Sequence, residues 1–136
     1  MAIKKGPSFR STLVSGTFGN LCKAEGKAVF SGDAAGTEIH VLRLEPGTKL
    51  YGCKAVHDAL GAGTTLKVGY RYVDEADGAA VDDAFGSAAS TGVATISMDD
   101  TPITLEKPAI ITLTNTGGTA TGNVTVIPEY EYLGVK

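Results

Sequence analysis

Residue types that often carry chemistry are scarce in this chain of 136 residues. It has no tryptophan, and only two residues each of histidine, cysteine and methionine. No apolar run approaches the ~20 residues that a membrane-spanning helix needs. The first lysines are not followed by the apolar stretch of a secretory signal. We therefore expect a chain with no membrane partner that folds in a reducing cytoplasm.

The few cysteines and histidines do not suggest a catalytic arrangement. Small disulfide scaffolds carry more cysteine than this, so we expect Cys22 and Cys53 to be reduced, half-buried thiols; a disulfide between them is the alternative. His40 lies within a strand pattern, and His57 directly precedes Asp58. Adjacent strand residues point to opposite faces, so this pair cannot supply two members of a triad. The sequence predicts no enzyme and no cofactor.

Charged clusters give little support to metal or nucleic-acid binding. Asp74, Glu75 and Asp77 crowd three carboxylates beside a glycine, a composition that suits Ca²⁺, but their spacing differs from that of the helical calcium loop. We expect a solvated acidic turn and no metal. The tyrosine-bearing residues 66–72 include only two basic side chains, and the net charge is −3. A direct nucleic-acid partner is therefore not expected.

Charge is distributed unevenly along the chain. Residues 1–27 hold five lysines and arginines against one glutamate, whereas residues 73–106 hold eight carboxylates and no basic side chain. Segments of opposite sign can complement each other across a contact between chains. Ordinary solvated charge is the alternative explanation.

Alternation of apolar and polar residues is the strongest structural signal. Leu66, Val68, Tyr70 and Tyr72 recur with a period of two within residues 64–73, which indicates a strand with one buried face. Similar patterns predict about eight short strands separated by glycine- and proline-rich turns. These patterns cover residues 24–31, 37–44, 48–58, 64–73, 92–99, 101–106, 109–115 and 124–132.

Two further local features qualify this all-β reading. The apolar phase of residues 37–44 shifts between Val41 and Leu42, which predicts a β-bulge or burial on both faces. Residues 79–90 are rich in alanine, with Val81 and Phe85 four positions apart, so they are the one candidate for a short helix. The prediction is a single all-β domain, an antiparallel sandwich or barrel.

The first 23 residues differ from the rest. Glycine, proline, serine and threonine interrupt any long element, yet apolar side chains, including Phe9 and Phe18, are spread throughout. Terminal segments stay disordered unless they are tied down. We therefore divide the chain into an extended N-terminal arm, residues 1–23, and a sandwich domain, residues 24–136. We expect the arm to be ordered mainly by contact with another subunit.

Interface candidates follow from this division. Phe9 and Phe18 are the expected anchors, because a few buried aromatics dominate many interfaces. Basic side chains of the arm are expected to meet carboxylates of a partner, and two tyrosines near the chain end are expected to contribute apolar area with a polar tip. These residues are Lys4, Lys5, Arg10, Tyr130 and Tyr132.

The order of turns and strands resembles that of a known family. It is carried by residues 42–52 (LRLEPGTKLYG), by residues 59–69 (ALGAGTTLKVG), and by the ending from Ile111 through Gly117-Gly118 to Tyr132. Over residues 24–134 the chain resembles the small jelly-roll cement, or decoration, proteins of short-tailed double-stranded DNA bacteriophage capsids.

This resemblance implies a fold and a role. Such proteins are β-sandwiches that form homodimers, bind the outside of an icosahedral capsid where major capsid proteins meet, and catalyse nothing. The chain would then be made in the host cytoplasm and become part of the virion exterior. Two other functions stay open: a β-module of the phage neck, tail or fibre, and a carbohydrate-binding sandwich.

Overall fold

Two β-sheets face each other in the structure, a computed structural model that describes residues 2–7, 9, 21–90, 94–98 and 102–133. Within these residues there are eleven strands and one turn of 3-10 helix, Glu75–Asp77. The strands are β1 (Ile3–Lys5), β2 (Leu21–Lys23), β3 (Gly26–Asp33), β4 (Glu38–Leu44), β5 (Thr48–His57), β6 (Thr65–Tyr72), β7 (Val81–Ala89), β8 (Ala94–Met98), β9 (Ile103–Leu105), β10 (Ala109–Thr116) and β11 (Ala120–Tyr132).

The first sheet has five strands in the order β1-β4-β10-β6-β7. All neighbours are antiparallel except β1, which runs parallel to β4 at the edge. Ile111 pairs with Leu42 and Thr112 with His40, so Val41 is skipped. This irregularity confirms the bulge expected from the phase shift at Val41, and it lets β4 bury almost all of its side chains.

The second sheet has six strands and is built around its two longest, β11 and β5. One edge of β11 pairs with β3 and, further along, with β2. The far edge of β5 pairs with β8 and then with β9. Both ends of the arm therefore pair with the sandwich, β1 on one sheet and β2 on the other.

Inward-facing side chains of both sheets form one apolar core. On β6, Leu66 and Val68 are almost completely buried, as the alternating pattern predicted. Phe30, Phe85 and Tyr130 are the largest aromatic members. The all-β sandwich expected from the sequence is confirmed, and no helix among the described residues is long and apolar enough to cross a membrane.

The helix expected over residues 79–90 is wrong. This segment contains β7, which pairs with β6. Phe85 is 1% exposed and its ring lies 5.9 Å from that of Tyr70, so core packing outweighs the helical spacing of Val81 and Phe85. The one helical turn in the described part of the chain comes earlier, where the Asp74 side chain caps Glu75–Asp77 by accepting a hydrogen bond from the Ala76 N–H at 3.0 Å.

A buried asparagine holds two turns together at one end of the sandwich. Asn115 is completely buried. Its Nδ2 donates to the backbone carbonyl oxygen of Gly118 at 2.8 Å, and it also lies within 3.4 Å of those of Asp33 and Ala34. Buried polar groups are stable when hydrogen-bonded in this way. The turn between β3 and β4 is thereby fixed against the start of the β10–β11 hairpin.

Both cysteines are thiols, not a disulfide. Cys22 is half-buried on β2, and Cys53 is buried on β5. Burial raises the pKa of the Cys53 thiol to about 12, because an apolar environment disfavours the thiolate. Cys53 therefore behaves as a small core residue.

We predict that Gly69→Ala destabilises the fold, because there is no room for a side chain where β7 runs beside β6 at an irregularity in their register. A Cβ at residue 69 would lie 2.1 Å from the carbonyl oxygen of Val81 and 2.4 Å from the carbonyl carbon of Asp82. Overpacking of this kind costs about 1–3 kcal/mol, which urea unfolding measures. Ser87→Ala, at an exposed position of β7, is the control and should stay within about 0.5 kcal/mol. Equal stabilities would contradict the close approach of the β7 backbone to Gly69.

Candidate interaction surface

Three charged or titratable side chains meet on the outer face of the five-stranded sheet. The Glu38 side chain is 5% exposed, and its Oε2 accepts a hydrogen bond from Arg71 Nη2 at 2.9 Å. Arg71 Nε lies 2.7 Å from Glu38 Oε1, but its N–H is not aligned for a hydrogen bond. His40 Nε2 lies 2.8 Å from the same Oε1. Because a carboxylate only accepts, the imidazole donates this bond.

The strand pattern places these groups on one face. Glu38 and His40 are two apart on β4, so they project in the same direction. In the pairing, Thr114 of β10 lies opposite Glu38, and Thr112 lies opposite His40. Arg71 comes from β6, on the far side of β10. A buried carboxylate is tolerated because a charge partner and a hydrogen-bond donor both reach it.

The arm lies against this buried charge cluster. The Gly6 N–H donates to the carbonyl oxygen of His40 at 3.0 Å. The Phe9 ring lies 6.0 Å from the His40 ring, and Lys5 Nζ is 4.9 Å from the centre of the Phe9 ring. Lys5, Phe9 and His40 thus form a stack at the edge of the sheet, combining an aromatic contact with a cation–π contact.

A second contact ties the arm to β3. Lys4 Nζ donates to Asp33 Oδ2 at 2.8 Å, and the Ser31 N–H donates to the same oxygen at 2.9 Å. Burial by itself raises the pKa of Asp33, but these two hydrogen bonds and the positive charge of Lys4 together outweigh it and hold that pKa below its ordinary value. Among the expected interface residues, Lys4, Lys5 and Phe9 therefore contact their own chain; Arg10 and Phe18 lie outside the described residues.

The two candidate tyrosines at the chain end have different surroundings. Tyr130 is 2% exposed and packs in the core, which raises the pKa of its hydroxyl. Tyr132 is half-buried at the end of β11 and keeps surface for a contact. Between them, Glu131 Oε2 accepts a hydrogen bond from the hydroxyl of Tyr51 at 2.5 Å. Tyr51 is half-buried on β5, and this bond joins its side chain to β11.

An open depression adjoins the buried charge cluster, and we name it the threonine depression. Its floor carries Thr112 and Thr114 of β10 together with Glu38 and Arg71. Thr114 is 8% exposed, and its Oγ1 has no hydrogen-bond partner. The complete lining consists of Ala35, Gly36, Glu38, Arg71, Ala80, Asp82, Thr112, Thr114 and Thr116.

The described residues contain no recognisable catalytic or metal centre. His57 Nδ1 contacts the backbone carbonyl oxygen of Asp58 at 2.9 Å, whereas the Asp58 carboxylate accepts from the backbone N–H and the amide of Asn123. The two side chains therefore do not cooperate. No three histidine, cysteine, aspartate or glutamate residues of the described ranges come close enough to hold a metal ion.

We predict a large difference between a buried and an exposed glutamate. Glu38→Gln leaves Arg71 without its buried counter-charge, which costs about 3–5 kcal/mol. Glu129→Gln removes a pair with Lys23 whose side chains are 39% and 65% exposed, and it should cost about 0–1 kcal/mol. Urea unfolding of both variants measures the difference. Similar losses of unfolding free energy in the two variants would show that the Glu38–Arg71 pair is not effectively buried.

Comparison with known proteins finds the same sandwich fold in solved structures of phage capsids. No family model and no curated protein match the sequence. A chain in the capsid of Ralstonia phage GP4 is 16% identical, with a TM-score of 0.71 over 99% of this chain and 100% of that one. A chain in the capsid asymmetric unit of cyanophage Pam1 is 22% identical, with a TM-score of 0.61 over 92% of this chain and 95% of that one.

A third chain of the same shape comes from the acid-stable capsid of Helicobacter pylori bacteriophage KHP30. It is 11% identical, with a TM-score of 0.61 over 85% of this chain and 90% of that one. At these identities the likeness establishes a shared fold: the chain adopts a β-sandwich that also occurs in the capsids of three bacteriophages.

Proposed function

We propose that this chain is a non-enzymatic structural protein of a bacteriophage virion. In this proposal it is a cement protein that binds the outer surface of an icosahedral capsid and stabilises contacts between major capsid proteins. The observation that carries the proposal is full-length similarity: the fold spans 99% of this chain and 100% of a chain from a phage capsid.

The fold suits such a role. A compact sandwich offers broad, rigid faces, and a specific interface needs about 800 Å² from each partner. Apolar area that is buried across a seam contributes about 25 cal/mol per Å², and this contribution must be lost before the seam can open. A bound cement protein therefore stabilises a shell without any chemical step.

The arm and the chain end supply the proposed contacts. Phe9 and Phe18 are the proposed apolar anchors, and Lys4, Lys5 and Arg10 the proposed basic contacts. Contacts within the chain position residues 3–5 along the edge of β4, where a partner can cover them further. Tyr132 is the proposed contact at the chain end, because Tyr130 is buried in the core.

We predict that the isolated protein forms a symmetric homodimer. Sheet edges that lack a neighbour tend to be paired or covered, and two-fold dimers are the commonest closed assemblies. Sedimentation velocity at micromolar concentration should give the mass of two chains. A monomer at that concentration would contradict self-association in the absence of the capsid.

We predict that the arm strengthens attachment to particles. Deletion of residues 2–20 should leave the sandwich folded, as judged by its circular dichroism, and should weaken decoration of stripped capsids in a pelleting assay. Replacing Lys4, Lys5 and Arg10 by glutamine should weaken decoration less, and chiefly at low salt, where exposed charges interact most strongly. Equal decoration by the truncated and full-length chains would remove the arm from the attachment mechanism.

The location of the chain in a virion separates the proposed role from its main alternative. Cryo-electron microscopy of the phage should show one copy or one dimer at each equivalent seam on the outer shell. Density confined to the neck or tail would replace the cement role by that of a tail-associated module.

A further inference from the structure

The first residues of the chain contact both sheets along one side of the sandwich. On the five-stranded sheet, the Glu38 N–H donates to the carbonyl oxygen of Ala2 at 3.0 Å. Two residues further along β4, the carbonyl oxygen of His40 accepts a hydrogen bond from the Gly6 N–H at 3.0 Å. These bonds and the parallel pairing of β1 with β4 hold residues 2–7 on this sheet, and we name these residues the clasp.

The clasp also contacts β3, which belongs to the six-stranded sheet. Lys4 Nζ donates to the carboxylate of Asp33, the last residue of β3. Near the first residues of β3, a Cβ at Gly6 would lie 2.4 Å from the carbonyl oxygen of Lys27 and 3.5 Å from the Cα of Ala28. Gly6 does not have a positive φ, so glycine is needed here for space and not for backbone conformation. The clasp therefore contacts β3 near both of its ends.

Release of the clasp does not require the core to unfold. The apolar core, taken over the described residues, includes no residue of the clasp. The Ile3 side chain is 46% exposed, and the side chains of Lys4 and Asp33 are 38% and 16% exposed. Segments that bury few apolar contacts open locally at a much lower free energy than the whole domain. The clasp can therefore leave its place while the sandwich stays folded.

The charge of Asp33 supports the contact with β3. Burial raises the pKa of Asp33, but the hydrogen bonds from Lys4 and from the Ser31 N–H, together with the Lys4 charge, lower it below its ordinary value. A carboxylate of this kind stabilises the structure above its unfolded pKa, and this stabilisation is lost as the pH falls through the lower folded value. Among the described residues, Lys4 is the charged side chain in contact with Asp33, whereas Glu38 and His40 are the titratable groups of β4 beside the clasp.

We propose that the clasp holds the two sheets together along this side of the sandwich, and that it opens when the Asp33 carboxylate is neutralised. Opening breaks the contact with β3 and frees the N–H and C=O groups on the edge of β4. An uncovered strand edge of this kind is a template for pairing with another strand. The clasp is a property of the isolated chain and does not depend on a place in a virion.

Hydrogen exchange of the full-length protein at pH 6 tests whether the clasp joins both sheets. Gly6→Ala places a methyl group against the β3 backbone. The Glu38 amide on β4 and the β3 amides that bond to β11 should then exchange at least about fivefold faster, with no change along β7. Ile3→Ala, in the same segment, should exchange as the parent does. Faster exchange on β4 alone, on neither strand, or equally along β7 would overturn the proposal.

A pH titration of the ¹⁵N-labelled protein tests the role of Asp33. In the parent, the amide signals of Gly6 and Ser31 should shift together with a midpoint below about pH 4. In Asp33→Asn, the Gly6 signal should lose this titration, and the open form should be about two- to fivefold more populated at pH 6. Glu25→Gln, which removes an exposed carboxylate beside Lys27, is the control and should titrate as the parent does. A parental Gly6 titration in Asp33→Asn would assign it to Glu38 or His40 and overturn the switch. Particle decoration enters neither test, so its failure would count against the cement role and not against the clasp.

Discussion

The buried carboxylate of Glu38 fixes the side chains around it on the outer face of the five-stranded sheet. Leaving a charge in the sheet face is costly unless it is paired and hydrogen-bonded, so Arg71 of β6 and His40 of β4 are held in fixed positions around it. β10 lies between β4 and β6. The contacts among Glu38, His40 and Arg71 therefore bridge across β10, in addition to its backbone hydrogen bonds to both neighbours. The arm then packs on His40, and the threonine depression takes its floor from the same pair.

The two ends of the arm pair with different sheets. β1 extends the five-stranded sheet, and β2 continues the line of β3 along β11. Lys4 also joins the arm to Asp33 at the end of β3. The sequence division at residue 23 therefore marks a change in composition, whereas the described residues before it contribute strands to both layers. Attachment of the arm to its own sandwich and contact with a second subunit are compatible, because among the described strands β1 pairs only with β4.

Local sequence patterns predicted the strands of the sheets better than they predicted the contacts between surface side chains. The alternation in β6 and the phase shift at Val41 depend on neighbouring residues only, and both were read correctly. β7 was missed because its alanines favour a helix locally, and only pairing with β6 and contact of Phe85 with Tyr70 decide otherwise. The Glu38–Arg71 and Lys4–Asp33 pairs join residues far apart in sequence, and one sequence offers no signal for such partners. Tyr130 was predicted to be an interface residue because it lies near the chain end. Its even spacing from Val124 and Val126 in the alternating pattern instead indicated the core.

The reactivity of the buried Cys53 thiol can report how often the centre of the sandwich opens. The thiolate is the form that attacks alkylating reagents, and a thiol with a pKa of about 12 that is 4% exposed reacts only when β5 separates from its neighbours. Since β5 and β11 are the central pair of the six-stranded sheet, the rate of Cys53 modification measures how often the middle of the sandwich opens.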